Sequence, residues 1–238
     1  AAALASVLAM LGGPEALDRL RGLLSADEPH TRRAALHALG RIGGARAAQM
    51  VALALADENS DVQVAAAQVL GRLRDERGGV PGASELMLAV QSEHAQVRAA
   101  VARALGNTGL LQAIEPLCEL LRDDDGGVAI AAIDGLGQVA GDTLSDKLKD
   151  ALIHPDREVV KAALRALAAT RDPDAASELI AALSHDAWDV RQVAAELIGE
   201  LRAMSARPAL AAQLARESDD LARAALSDAL RSLAEEVG

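Results

Sequence analysis

The chain has 238 residues and a formal net charge of −11, from 24 Lys+Arg against 35 Asp+Glu, and 51% of its residues are hydrophobic although Trp188 is the sole aromatic. Fifty-five alanines with no Phe or Tyr exclude a core built from bulky rings and favour closely spaced helices, because Ala has the best intrinsic helix propensity and Leu and Arg follow it closely. The hydrophobic content excludes intrinsic disorder, charges interrupt every apolar run before it could span a membrane, and the negative balance argues against a dedicated nucleic-acid binder.

Taken in chain order, the first segment, Ala1–Leu11, carries no charge. It resembles the apolar stretch of a signal peptide, but no initiator Met or basic region precedes it, and the repeat register makes it a helix. Pro14 suits the first turn of a second helix near residues 14–25. Self-similarity then organises the rest of the chain. An anchor position recurs at Thr31, Val62, Val97, Val128, Val159, Val190 and Leu221, spaced by 31 residues except for one step of 35. Eight positions later stand Leu39, Leu70, Leu105, Leu136, Leu167 and Ile198, usually followed by Gly. A second ladder runs Leu20, Val51, Leu86, Leu117, Leu148, Leu179 and Leu210, with an apolar companion four residues on, so both rows share one helical face.

Each period therefore holds a helix pair, A then B. B-helices are predicted near residues 1–12, 31–42, 62–74, 97–108, 128–140, 159–170, 190–203 and 221–236. A-helices are predicted near 14–25, 45–56, 83–91, 110–122, 142–153, 173–184 and 205–216. Pro173 falls at the first turn of an A-helix, and the periodic glycines, with Gly43, Gly44 and Gly109, read as helix ends. Four extra residues make Arg74–Gly82 a longer B-to-A loop.

The pattern acidic-x-Val-Arg-x-Ala-Ala-x-x-Ala-Leu-Gly, with a close match from Thr31 to Gly43, resembles the short HEAT-like repeat of phycobilin lyase subunits and many bacterial scaffold proteins. It runs from Ala1 to about Ala234. The resemblance implies an all-α fold, a right-handed α–α superhelix of about 15 helices in 31-residue repeats, with the B-helices lining its concave face. The chain is expected to be a single repeat domain over residues 1–238, and its start in mid-repeat suggests excision from a longer protein. The uncharged first helix suggests a homodimer through that end, whereas Arg223, Asp228, Arg231, Glu235 and Glu236 make the last helix a polar cap. A lone Cys118 and a basic set of 21 Arg to three Lys fit a reducing cytoplasm and a bacterial, GC-rich source.

Signs of catalysis are scarce. His154 and His185 occupy equivalent positions one repeat, about 10 Å, apart, too far for one metal, and are expected to cap turns. The His-Glu pairs of iron-binding HEAT hydroxylases are missing; only the reversed Glu93-His94 occurs. HEAT-like DNA glycosylases stack nucleotides on aromatic residues, and a chain with Trp188 alone has no such platform. Trp188, in an A-to-B turn, is expected to cover the neighbouring turn, and Cys118 to pack among apolar neighbours. The acids gathered at the A-to-B turns, such as Asp57, Asp123–Asp125, Asp156 and Asp219, are read as N-caps of the B-helices. No catalytic residue, metal or cofactor is expected.

One feature stands out from the scaffold. Counting from the anchor, offsets 2, 6 and 10 of each B-helix point together away from the core. These rows read Arg33, Val64, Ala99, Ile130, Lys161, Gln192, Arg223; His37, Gln68, Arg103, Asp134, Arg165, Glu196, Ser227; and Arg41, Arg72, Asn107, Gln138, Ala169, Glu200, Arg231. Eight bases against three acids segregate here against the overall sign. The expected function is a non-enzymatic protein-interaction scaffold whose basic groove receives an acidic protein segment through Arg33, His37, Arg41, Val64, Arg72, Arg103, Ile130, Lys161 and Arg165. The alternatives are a lyase-like or chaperone-like accessory subunit acting on a partner protein, and weak nucleic-acid binding on the same groove. No membrane partner is expected.

Overall fold

The computed structural model describes residues 2–75, 77–170 and 175–234, so the predicted roles of Pro173, Glu235 and Glu236 lie outside the described residues. Among the described residues there are fifteen α-helices and no strand. The B-helices are α1 (Ala2–Leu11), α3 (Pro29–Ile42), α5 (Ser60–Leu70), α7 (Ala95–Thr108), α9 (Gly126–Val139), α11 (Arg157–Ala168), α13 (Trp188–Glu200) and α15 (Asp220–Ala234). Between them lie the A-helices α2 (Gly13–Leu23), α4 (Gly44–Leu53), α6 (Ala83–Leu88), α8 (Ile114–Leu120), α10 (Leu144–Lys147), α12 (Ala175–Ala182) and α14 (Arg207–Arg216). The chain packs as two compact units, Ala1–Val139 and Ala140–Gly238.

From α3 onward most B-helices begin two residues before the predicted start, because their caps set the first turn. Asn59 accepts from the N–H groups of Asp61 and Val62, Asp125 from those of Gly127 and Val128, and Asp156 from that of Glu158. Each oxygen satisfies donors that the helix cannot. The A-helices are shorter than predicted and several dissolve into 3₁₀ turns at one end, as at Ala54–Ala56, Ala89–Gln91 and Leu111–Ala113. In α8 the cause is local: Pro116 lacks a donor and is tolerated only in the first turn, so the α-helix starts at Ile114.

In the first unit each B-helix packs on the next, α1 on α3, α3 on α5, α5 on α7 and α7 on α9, with the A-helices beside them. The anchors Val62, Val97 and Val128 and the leucines eight positions on are fully buried, as the period requires. Gly43, Gly71 and Gly109 end α3, α5 and α7 as predicted, and two of the periodic glycines do a second job as well. A Cβ on Gly71 would lie 2.7 Å from Cα of Ala104, and one on Gly106 would lie 2.6 Å from Cα of Gly135. At these two positions successive B-helices touch backbone to backbone, a spacing that suits an aromatic-free core of alanines.

A polar clamp also ties successive repeats. Arg32 donates from Nε and Nη2 to the two carboxylate oxygens of Asp57 at 2.8 and 2.7 Å, while Nη1 reaches the carbonyls of Ala26 and Asp27. Arg98 repeats this on Asp123 and the carbonyls of Ser92 and Glu93. In the second unit Arg191 repeats it on Glu217 and the carbonyls of His185 and Asp186. One guanidinium thus fastens its own A-to-B turn to the following turn through a bidentate, charge-assisted pair. Not all the turn acids are therefore N-caps: Asp57, Asp123 and Glu217 serve as clamp acceptors.

The last repeat departs from the predicted register by one residue. Leu221 is 58% exposed, whereas Ala222 is fully buried. Asp219 accepts from the N–H groups of Leu221 and Ala222 and so starts α15 at Asp220, which puts Ala222, Ala225, Leu226 and Ala229 in the core. Leucine matched the apolar pattern, but capping decides the phase. Arg223 then falls at the clamp position, donating to the carbonyls of Leu214 and Glu217, and leaves the outward rows.

Candidate protein-interaction face

The outward rows of the first unit come from α3, α5, α7 and α9. Arg33 and His37 stand on α3, Arg103 stands on α7 and Arg41 lies in the last turn of α3, while Arg72 occupies the turn just after α5; all five are exposed. Val64 on α5 and Ile130 on α9 are half-buried between the charged positions. Asp134 is the one acid in these rows, against four arginines. None of Arg33, Arg41, Arg72 and Arg103 makes an ion pair among the described residues, in contrast to the clamp arginines. Arg32 and Arg33 are neighbours in sequence, yet one is buried and bridged and the other projects into solvent.

The second unit differs. Lys161 does not face outward: it is buried, and its Nζ donates to Glu158 at 2.6 Å and Asp189 at 2.9 Å. The clamp position on α11 is Val160, so the lysine next to it takes over the bridge to the following repeat. Burial would raise the Asp189 carboxyl, but hydrogen bonding and charge from Lys161, helped by Arg157, hold it below its ordinary range. Arg165 is exposed on α11, but its row continues into Glu196 of α13 and, in the observed register, Asp228 of α15. The excess of basic residues predicted along the outward rows of the whole chain is therefore confined to the first unit, and the corresponding rows of the second are acidic.

The acidic turn edge is largely engaged within the structure. Glu217 is enclosed, accepts from Arg191, Gln213 and two backbone N–H groups, and is held at about 2 against an ordinary 4.5, the Arg191 hydrogen bonds being the largest cause. His154 and His185 accept through Nδ1 from the N–H groups of Asp156 and Ala187 at 3.0 Å, which makes them turn caps. Among the described residues no three His, Cys, Asp or Glu side chains converge as a metal site, and no helix is long and apolar enough to cross a membrane. Cys118 is half-buried on α8. Trp188 is partly exposed as the first residue of α13.

Sequence reasoning missed an outer apolar ridge. Leu53 and Leu88, each two residues beyond its A-helix ladder position, are 78% and 77% exposed. The repetition of Leu at the same offset in consecutive repeats was the available signal. Leu4, Val7, Met10 and Leu11 are likewise exposed on α1.

Helix pairs at a near-constant period, stacked B on B and clamped turn to turn, define an α-solenoid scaffold. The chain belongs to the HEAT-repeat family: the model for HEAT repeats matches residues 1–71, 49–137, 83–164 and 145–231. Among solved structures it is similar to YIBA_ECOLI, with a TM-score of 0.57 at 18% identity, covering 98% of this chain and 96% of that one. It is also similar to the complex of CpcE and CpcF of phycocyanin lyase from Nostoc sp. PCC7120, with a TM-score of 0.52 at 21% identity, covering 91% and 94%. Human deoxyhypusine hydroxylase aligns at 24% identity over 96% and 86% of the two chains, with a TM-score of 0.45. No curated protein sequence matches the chain.

Proposed function

We propose that the chain is a non-enzymatic protein-interaction scaffold whose first unit presents Arg33, His37, Arg41, Arg72 and Arg103, with Val64 and Ile130 between them, to an acidic segment of a partner protein. One observation carries the reading: four arginines free of ion pairs share the outward B-helix rows of a protein with net charge −11, while the arginines one position away are consumed by structure. Arg presents a planar, permanently charged fork that suits carboxylates, and Val64 and Ile130 give apolar contact between the charges. Contacts spread over several repeats make each residue modest alone and the set decisive.

The test is affinity capture from the native lysate with quantitative mass spectrometry, comparing wild type with Arg41→Glu/Arg72→Glu/Arg103→Glu. The triple reversal is expected to remove an acidic partner, weakening binding by at least about 2 kcal/mol, and added salt should weaken wild-type binding in parallel. Equal capture by both proteins would leave these rows as a solvated face. An accessory-subunit role is the second reading, favoured by the fold likeness to the CpcE–CpcF complex. Pigment binding by the purified protein separates it from the first.

A further inference from the structure

The second unit carries an open trough between α13 and α15, with a volume of about 460 Å³. Its floor is made of small carbons, chiefly Ala225 and Ala229, and Leu221 lies at one side with 58% of its surface in solvent. Glu196 and Glu200, four residues apart, stand on the α13 wall, and Asp228 stands opposite on α15. Among the described residues no Lys or Arg lines the trough, although Arg231 stands beside Asp228. Of the three carboxylates, Glu196 accepts from Gln192 and Asp228 pairs with exposed Arg231, both solvent-facing contacts of the kind that exchange at little cost.

We infer that this trough is a docking site for a basic amphipathic helix of a protein partner, one that sets an apolar side chain beside Leu221 between flanking Arg or Lys residues. Three features lead there. Small residues keep the floor low between the walls, since α13 and α15 meet closely beneath it, where a Cβ placed on Gly199 would lie 3.3 Å from Cα of Ala229. Carboxylates on both walls match cations on both flanks of a helix, and Leu221 supplies an apolar anchor between them. The polarity is opposite to that of the first unit's face, so this site selects a different class of segment. It stands independently of the acidic-partner reading, since no residue is shared.

The probe is a fluorescein-labelled Ala-based helical peptide of about 18 residues, long enough to hold its helix, with Arg four residues apart on either side of a Leu. Anisotropy titrations at low salt should show binding to wild type and none by a peptide carrying Glu in place of Arg. Glu196→Gln/Glu200→Gln/Asp228→Asn should weaken binding at least about tenfold, and Leu221→Ala alone about fivefold. Removing three carboxylates from the first unit, Glu15→Gln/Glu85→Gln/Glu93→Gln, controls for net charge and should leave affinity within about twofold. Circular dichroism checks folding; were the trough triple variant to misfold, Leu221→Ala and Glu200→Gln singly carry the test. The inference is overturned by absent binding, by an equal loss in the control variant, or by indifference to Leu221→Ala. It is also overturned if wild type self-associates at low salt, loses this in the trough variant and ignores the peptide, because the occupant is then a second copy.

Discussion

Glu217→Gln tests the clamp that joins the repeats. The wild-type carboxylate accepts from Arg191 Nε and Nη2 at 2.6 Å each, from Gln213 Nε2 at 2.9 Å, and from the N–H groups of Ser218 and Asp219 at 3.1 Å. These donors hold it at about 2, where the unfolded chain protonates near 4.5. At about 1.4 kcal/mol per unit, that difference is worth about 3 kcal/mol of stability. The contribution is complete above pH 4.5 and disappears as the pH falls toward 2, because the folded carboxylate resists protonation that the unfolded one accepts. Glutamine keeps one acceptor oxygen but removes the charge, leaving the mostly buried Arg191 guanidinium without its counter-ion. A cost of about 3 kcal/mol near pH 7 is therefore expected, within the range for breaking a buried pair. Urea unfolding followed by far-UV circular dichroism measures it, and in a repeat array the loss should appear in the transition of the second unit. Repeated at about pH 3, the gap between wild type and variant should narrow to about 1–2 kcal/mol, other titrating groups cancelling in the difference. A variant as stable as wild type near neutrality, or a gap that does not change with pH, refutes the reasoning.

Neighbouring positions give sharper contrasts. Arg98→Ala should cost about 2–3 kcal/mol in denaturant unfolding, since it leaves Asp123 without its bidentate partner, and Arg103→Ala on the same helix less than about 0.5 kcal/mol. Gly106→Ala should cost about 2–3 kcal/mol, because its Cβ meets the Gly135 backbone, whereas Gly137→Ala, with nothing within 4 Å, should gain up to about 1 kcal/mol from helix propensity; thermal melts distinguish them. Lys161→Met should destabilise by about 2–4 kcal/mol by leaving Asp189 only the exposed Arg157 at 3.5 Å, and adding Asp189→Asn should recover most of the loss, which a double-mutant cycle reads directly.

The periodicity alone determined the all-helical architecture, the alternation of A and B and the buried rows, because an amphipathic helix has one face it must bury and a 31-residue repeat offers only the neighbouring repeats to bury it against. The turn-capping roles of His154 and His185 were legible for the same reason: capping is local to two or three residues. What lay out of reach depended on partners a repeat away. Arg32 and Arg33 are the same residue type about 100° apart on one helix, and only Asp57, 25 residues on, makes the first structural while the second projects into solvent. Lys161 was assigned outward by its offset, but with Val160 at the clamp position Asp189 captures it instead. The one-residue shift at Ala222 followed from the Asp219 cap, which an apolar Leu221 disguised. That shift and that capture together left Arg165 as the one base in the second unit's outward rows among the described residues. A linear pattern records which side of a helix a residue occupies, whereas the free charges are those left over once every inter-repeat bond has been made, and only the packed repeats decide which bonds those are.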